Sequence, residues 1–131
     1  MKIRNAELCD LPYLLEMLEN AKASLRALGI DQWQNGYPNE TTLREDIQNK
    51  IYGIVHRIMA ANNAKKRGAA SFLMTYCAKL SLEAGVTSMR CDTHPGNIIM
   101  QHTLEKNGYI RCGIIHLTDG ADRFAYEKVL K

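Results

Sequence analysis

The chain has 131 residues, of which 46% are hydrophobic and 24% charged, and its formal charge is +3. That length suits one domain able to bury about two-thirds of its unfolded surface, and it excludes two full domains. The charge is mild and dispersed, with one basic cluster at Lys65, Lys66 and Arg67, which argues against an extended nucleic-acid surface and for a local anion site.

Residues 1–7 lack the apolar core of a signal peptide, and no run of residues is long and apolar enough to span a membrane. A cytoplasmic protein with no membrane partner is therefore expected. Cys9, Cys77, Cys91 and Cys112 stand far apart without a C-x-x-C pair, so neither disulfides nor a metal site is expected, and mostly buried free thiols are.

In chain order, residues 2–6 read as a short strand. Asp10 offers an N-cap and Pro12 a tolerated first-turn proline. Leu11, Leu14, Leu15, Leu18, Ala21, Leu25 and Leu28 then form one helical face that Gly29 closes. Residues 31–38 are loop-like. Trp33 and Tyr37 suit either a substrate-facing loop or a pin that fixes the loop to the core. A second helix over residues 40–48 turns Leu43 and Ile47 inward.

Residues 51–60 are β-branched and apolar, which predicts a buried strand. After the basic turn, Ala70, Leu73, Met74, Cys77, Leu80 and Ala84 form a helical stripe stopped by Gly85, and residues 86–91 read as a strand. Strand, turn, helix and strand in this order predict a right-handed crossover between parallel strands, hence an α/β fold. A short helix over residues 97–106 ends at Asn107-Gly108. Two β-rich runs, 109–116 and 123–130, flank Asp119-Gly120, a hairpin signal.

The chemistry concentrates in Lys65-Lys66-Arg67-Gly68-Ala69-Ala70. The first N–H groups of a helix lack intrahelical acceptors, and the helix dipole favours an anion there by about 0.3–1 kcal/mol. Small residues let phosphate oxygens approach the backbone. The spacing fits neither the P-loop nor the dinucleotide fingerprint.

Lys65-x-x-Gly68-x-Ala70 resembles the phosphate-binding motif of the GNAT superfamily of acetyltransferases, with Lys in place of its Gln or Arg. Asn97, the Gly108-Tyr109 pair and the opening Ile3-Arg4-x-Ala6 with Asp10-Leu11-Pro12 follow in the family's order. The resemblance implies a GNAT-like mixed sheet flanked by helices, in a single domain spanning residues 1–131, with a reduced number of strands. It further implies acetyl-CoA as cosubstrate and a primary amine of a small molecule or peptide as acceptor. Lys65, Lys66, Arg67, Gly68, Ala69 and Ala70 would hold the diphosphate. The backbone of Ile58, Met59 and Ala60 would pair with the pantetheine arm, and Asn97 would touch the coenzyme.

Two departures from the family stand out. The position where it places an acidic tyrosine is Leu104, and no catalytic residue is assigned in its place; Tyr109, His56, His94, His116 and Cys91 are the chemical substitutes. The hairpin of two long strands that precedes the coenzyme turn in the family has no room between Gln48 and Ile51. Its loss predicts either that residues 2–6 pair with 54–60, or that a second copy of the chain covers the open edge in a homodimer. A coenzyme-binding or structural module without turnover is the alternative to an enzyme.

Overall fold

A computed structural model describes residues 1–49 and 57–130 of the chain. The described residues fall into two compact units, one taking in the first two helices and Met59–Ala69, the other the remaining helices and the sheet.

The first unit is built on helix α1 (Leu11–Ala27), which a short 3-10 turn, Leu8–Asp10, leads into. Leu11, Leu18 and Leu25 are buried at intervals of two turns, as the apolar face predicted. Helix α2 (Glu40–Asn49) adds Leu43 to this line. Leu14, Leu15, Trp33, Ile47 and Met59 pack around the cluster of Leu11, Leu18 and Leu43. Each fully buried leucine contributes about 1.5–3 kcal/mol. Asn39 precedes α2, its Oδ1 accepting the Thr42 N–H at 3.1 Å while Thr42 Oγ1 accepts the Asn39 N–H at 3.3 Å.

In the second unit, helix α3 (Ala69–Glu83), strand β1 (Ser88–Thr93), helix α4 (Ile98–Lys106) and strands β2 (Ile110–His116) and β3 (Asp122–Val129) follow in chain order. The three strands form one sheet of order β1-β3-β2. Both pairings are antiparallel, with a bulge where the register slips between Arg111 and Gly113. Met89, Cys91 and Thr93 alternate inward along β1. Met89 and Cys91 join Met74, Ala78, Leu104, Tyr109, Tyr126 and Leu130 in the core. The Asp119-Gly120 signal lies in the β2–β3 connection, which spans residues 117–121 and is closed by the Leu117 N–H on the Ala121 carbonyl at 2.8 Å.

Helices α1, α3 and α4 end alike. Gly29, Gly85 and Gly108 are left-handed, with φ of 72°, 80° and 83°. The following residues, Ile30, Val86 and Tyr109, donate back to the carbonyls of Leu25, Ser81 and Leu104 at 3.1, 2.9 and 3.0 Å. These are Schellman ends, and they explain why a glycine marked each helix stop in the sequence.

Three expectations need correction. Residues 2–6 form no strand; Arg4 is instead drawn into an ion pair with Asp10, so the predicted pairing of residues 2–6 with 54–60 is not formed among the described residues. Most of the strand predicted over 51–60 lies outside those residues, and 57–60 are not strand, with Arg57 at φ 52°. The parallel pair expected of the crossover therefore has no counterpart among the described strands. The thiols are not mostly buried: Cys9 and Cys112 are exposed, Cys77 is half-buried and Cys91 buried.

Candidate functional site

The turn before α3 is shaped by its backbone. The Ala61 carbonyl accepts the N–H groups of Ala64 at 2.9 Å and Lys65 at 3.1 Å, winding a 3-10 turn over Asn62–Ala64, and the Arg67 N–H closes onto the Ala64 carbonyl at 3.3 Å. Lys66 and Gly68 are both left-handed, at φ 62° and 77°, on either side of Arg67. Left-handed residues in a turn are the kind of backbone from which anion-binding concavities are built. Gly68 has open space where a Cβ would stand. Its positive φ alone therefore favours glycine.

Helix α3 starts at Ala69, with no acidic residue in its first turn. Lys65, Lys66, Arg67 and Gly68 are exposed, and Ala69 and Ala70 are half-buried. Of the six residues predicted as an anion site, Lys65, Lys66, Arg67 and Gly68 thus lie on an exposed turn, and Ala69 and Ala70 open the helix that follows. Two polar ties among the described residues hold this segment, and neither was legible in the sequence. Lys65 Nζ donates to Ser24 Oγ of α1 at 3.0 Å. Ser71 Oγ, in the first turn of α3, accepts from Asn107 Nδ2 at 2.9 Å.

Asn97 is the N-cap of α4, its Oδ1 accepting the Met100 N–H at 3.1 Å. Its amide NH2 is not needed for that cap. Ile58 packs against the core of the second unit, and Met59 against that of the first. Trp33, half-buried at φ 65°, packs on the α1 cluster and so serves as a pin for its loop, whereas Tyr37 is 52% exposed.

The candidate acids fare poorly. Leu104 is 0% exposed, so the position that holds a phenol in the resembling family is filled here by core packing. Burial pushes the Cys91 thiol up to about 12, with the neighbouring Asp92 adding to it. Burial likewise raises the Tyr109 phenol to about 12, and its hydroxyl donates to Met89 Sδ at 3.7 Å. Neither group exchanges a proton readily near neutral pH. His94 Nδ1 accepts the Gly96 N–H at 2.9 Å, and His116 pairs with Asp122 at 2.7 Å beside the β2–β3 connection. His56 lies outside the described residues.

No protein-family model and no curated protein matches the chain. Solved structures do. An acetyltransferase of the GNAT family from Streptococcus agalactiae is similar over 99% of this chain and 95% of its own, at 28% identity and a TM-score of 0.85. Ard1 from Thermoplasma volcanium matches over 99% and 97%, at 13% identity and a TM-score of 0.74. The ribosomal-protein-alanine N-acetyltransferase from Brucella melitensis matches over 99% and 100%, at 17% identity and 0.70. The last two likenesses are of fold. This is a GNAT-like α/β protein with a reduced sheet, and its resemblance to GNAT-family acetyltransferases runs through nearly the whole chain.

Proposed function

We propose that the chain binds acetyl-CoA through the turn of Lys65, Lys66, Arg67, Gly68, Ala69 and Ala70 and transfers the acetyl group to a primary amine of a small molecule or peptide. The observation that carries this reading is the turn itself. It combines two left-handed residues, an α3 start free of acidic residues and three adjacent cations. A diphosphate is the anion such a site suits, because its oxygens accept several N–H groups at once while its charge meets the helix dipole.

In the reaction the amine attacks the thioester carbon, an oxyanion forms, and the C–S bond breaks to release the coenzyme thiol. An N–H of Met59 or Ala60 is the proposed donor to that oxyanion, and Asn97 offers its amide NH2 to the coenzyme. Holding amine and thioester together supplies much of the rate. A lysine-like amine is neutral in only about one molecule in a few thousand at pH 7, so water must carry its proton where no side chain does.

A second reading, coenzyme binding without turnover, is favoured by one observation: Leu104, Tyr109 and Cys91 are all buried in the core. Both readings are tested by incubating the protein with acetyl-CoA and a panel of primary amines and following free thiol. Amine-dependent thiol release that disappears in Ala70→Glu is the expected result. Saturable binding without release selects the binding module, and the absence of both overturns the assignment.

A further inference from the structure

Lys65 opens the coenzyme turn, yet its ammonium is directed to α1, where Nζ donates to Ser24 Oγ at 3.0 Å. The Ser24 hydroxyl in turn donates to the Asn20 carbonyl one helical turn back, at 2.9 Å. Its single proton is thereby spent, and a lone pair is left for the lysine. Ser24 is half-buried and α1 is a 17-residue helix pinned by Leu11, Leu18 and Leu25, so the acceptor is held in place. On the turn itself, Ala61 and Ala64 fix only the backbone N–H groups of Ala64, Lys65 and Arg67. The Lys65 side chain reaches 41 residues along the sequence to a rigid element, immediately before Lys66 enters its left-handed conformation.

We propose that Ser24 is a positioning residue for coenzyme binding. It holds Lys65 so that Lys66 and Gly68 stay left-handed and the N–H groups of the turn are ordered before the diphosphate arrives. Lys65 is then an anchor, and the cations that meet the phosphates are Lys66 and Arg67. This rests on the coenzyme reading proposed above. The advantage comes from preorganisation, because a turn already ordered loses less conformational freedom on binding.

The test is a double-mutant cycle on acetyl-CoA affinity with Ser24→Ala, Lys65→Met and both together, and with Ser24→Thr as the variant that keeps the hydroxyl. A hydrogen bond to a charged group contributes enough that Ser24→Ala is expected to weaken binding about tenfold. Lys65→Met should weaken it equally and the double variant no further, while Ser24→Thr restores affinity. The slope of affinity against salt should be unchanged in Ser24→Ala and shallower in Arg67→Met. Additive losses, or unchanged or tighter binding in Ser24→Ala, overturn the proposal, because Lys65 would then act on the phosphates directly.

Amide exchange in the ligand-free protein separates this idea from the coenzyme reading. Faster exchange at Lys66, Arg67 and Gly68 in Ser24→Ala supports the anchor even where the wild type binds no coenzyme. Unchanged exchange there overturns it.

Discussion

Helices α1 and α3 begin with the same electrical need and meet it in different ways. At α1 the anion comes from within the chain. The Asp10 carboxylate sits at the helix start, takes both guanidinium nitrogens of Arg4 at 2.6 and 2.7 Å, and accepts the Glu7 N–H at 2.9 Å. The Arg4 hydrogen bond, with the Glu7 N–H second, holds this carboxyl down at about 2. At α3 the same place holds three cations and a glycine, with no acid in the first turn. Neither helix has an acid in its first turn, and Asp10 makes no cap bond to α1, but α1 carries this carboxylate at its N-cap position whereas α3 is preceded by cations. Helix geometry is shared by both starts, so the difference in charge at the two is what the proposed coenzyme site at α3 rests on.

The largest expected effect comes from giving α3 what α1 already has. Ala70→Glu places a carboxylate at the start of the helix, where two like charges about 4 Å apart repel by several kcal/mol at a protein surface. Acetyl-CoA affinity should fall by roughly 100-fold or more, with the melting temperature unchanged or raised because a carboxylate suits a helix start. A variant that binds normally would erase the contrast between the two helices. Ala70 suits this test better than Gly68, whose φ of 77° strains any other residue.

Removing cations should have a smaller effect. Lys66→Met and Arg67→Met are each expected to weaken binding by roughly three- to tenfold at low ionic strength and to flatten its dependence on salt, because exposed charges are screened. Titrations across a salt series read both quantities. Equal loss at all salt concentrations would point to backbone distortion instead.

Asn97→Asp sharpens the comparison at a third helix start. The Asp side chain keeps the cap oxygen that the Met100 N–H needs but removes the amide donor, so stability should hold while acetyl-CoA affinity falls a few-fold. Asn97→Ala, which removes both, should also cost about 1 kcal/mol of stability. Denaturant melts of the two variants, set beside their titrations, distinguish cap from coenzyme contact.

The smallest effect belongs to α1. In the folded protein the Asp10 carboxyl is depressed from 3.8 to about 2, so the unfolded chain binds more protons between these values. Stability from this pair is therefore fully present above about pH 4 and is lost as the pH falls through about 2. Arg4→Met should remove most of that dependence, move the Asp10 titration back toward its ordinary value, and leave acetyl-CoA affinity unchanged. Acid titration of the Asp10 carboxyl by NMR measures the first two.

What the sequence made legible was local. Helices α1 and α3 were readable from an apolar stripe and a terminal glycine, and α4 from its Asn107-Gly108 stop, because such signals depend only on neighbours along the chain. Strands β1, β2 and β3 were readable from β-branched runs and turn residues. Residues 2–6 were misread because a short extended segment becomes a strand only when another strand pairs with it, and here Arg4 is committed to Asp10. The candidate anion site was visible as a cluster of cations before small residues. The ties of Lys65 to Ser24 and of Asn107 to Ser71 were not, since 41 and 36 residues separate the partners and no sequence period links them. The burial of Tyr109 and Cys91, which removes them as acids, likewise depends on packing between α3, α4 and the sheet.

The central claim is that the start of α3 is a diphosphate site. Calorimetric titration of the purified protein with acetyl-CoA, alongside the folded Ala70→Glu variant, tests it most directly. Saturable binding by the wild type that is lost in the variant is the predicted result. A folded wild-type protein that takes up no acetyl-CoA, or a variant that binds it equally well, would contradict the claim.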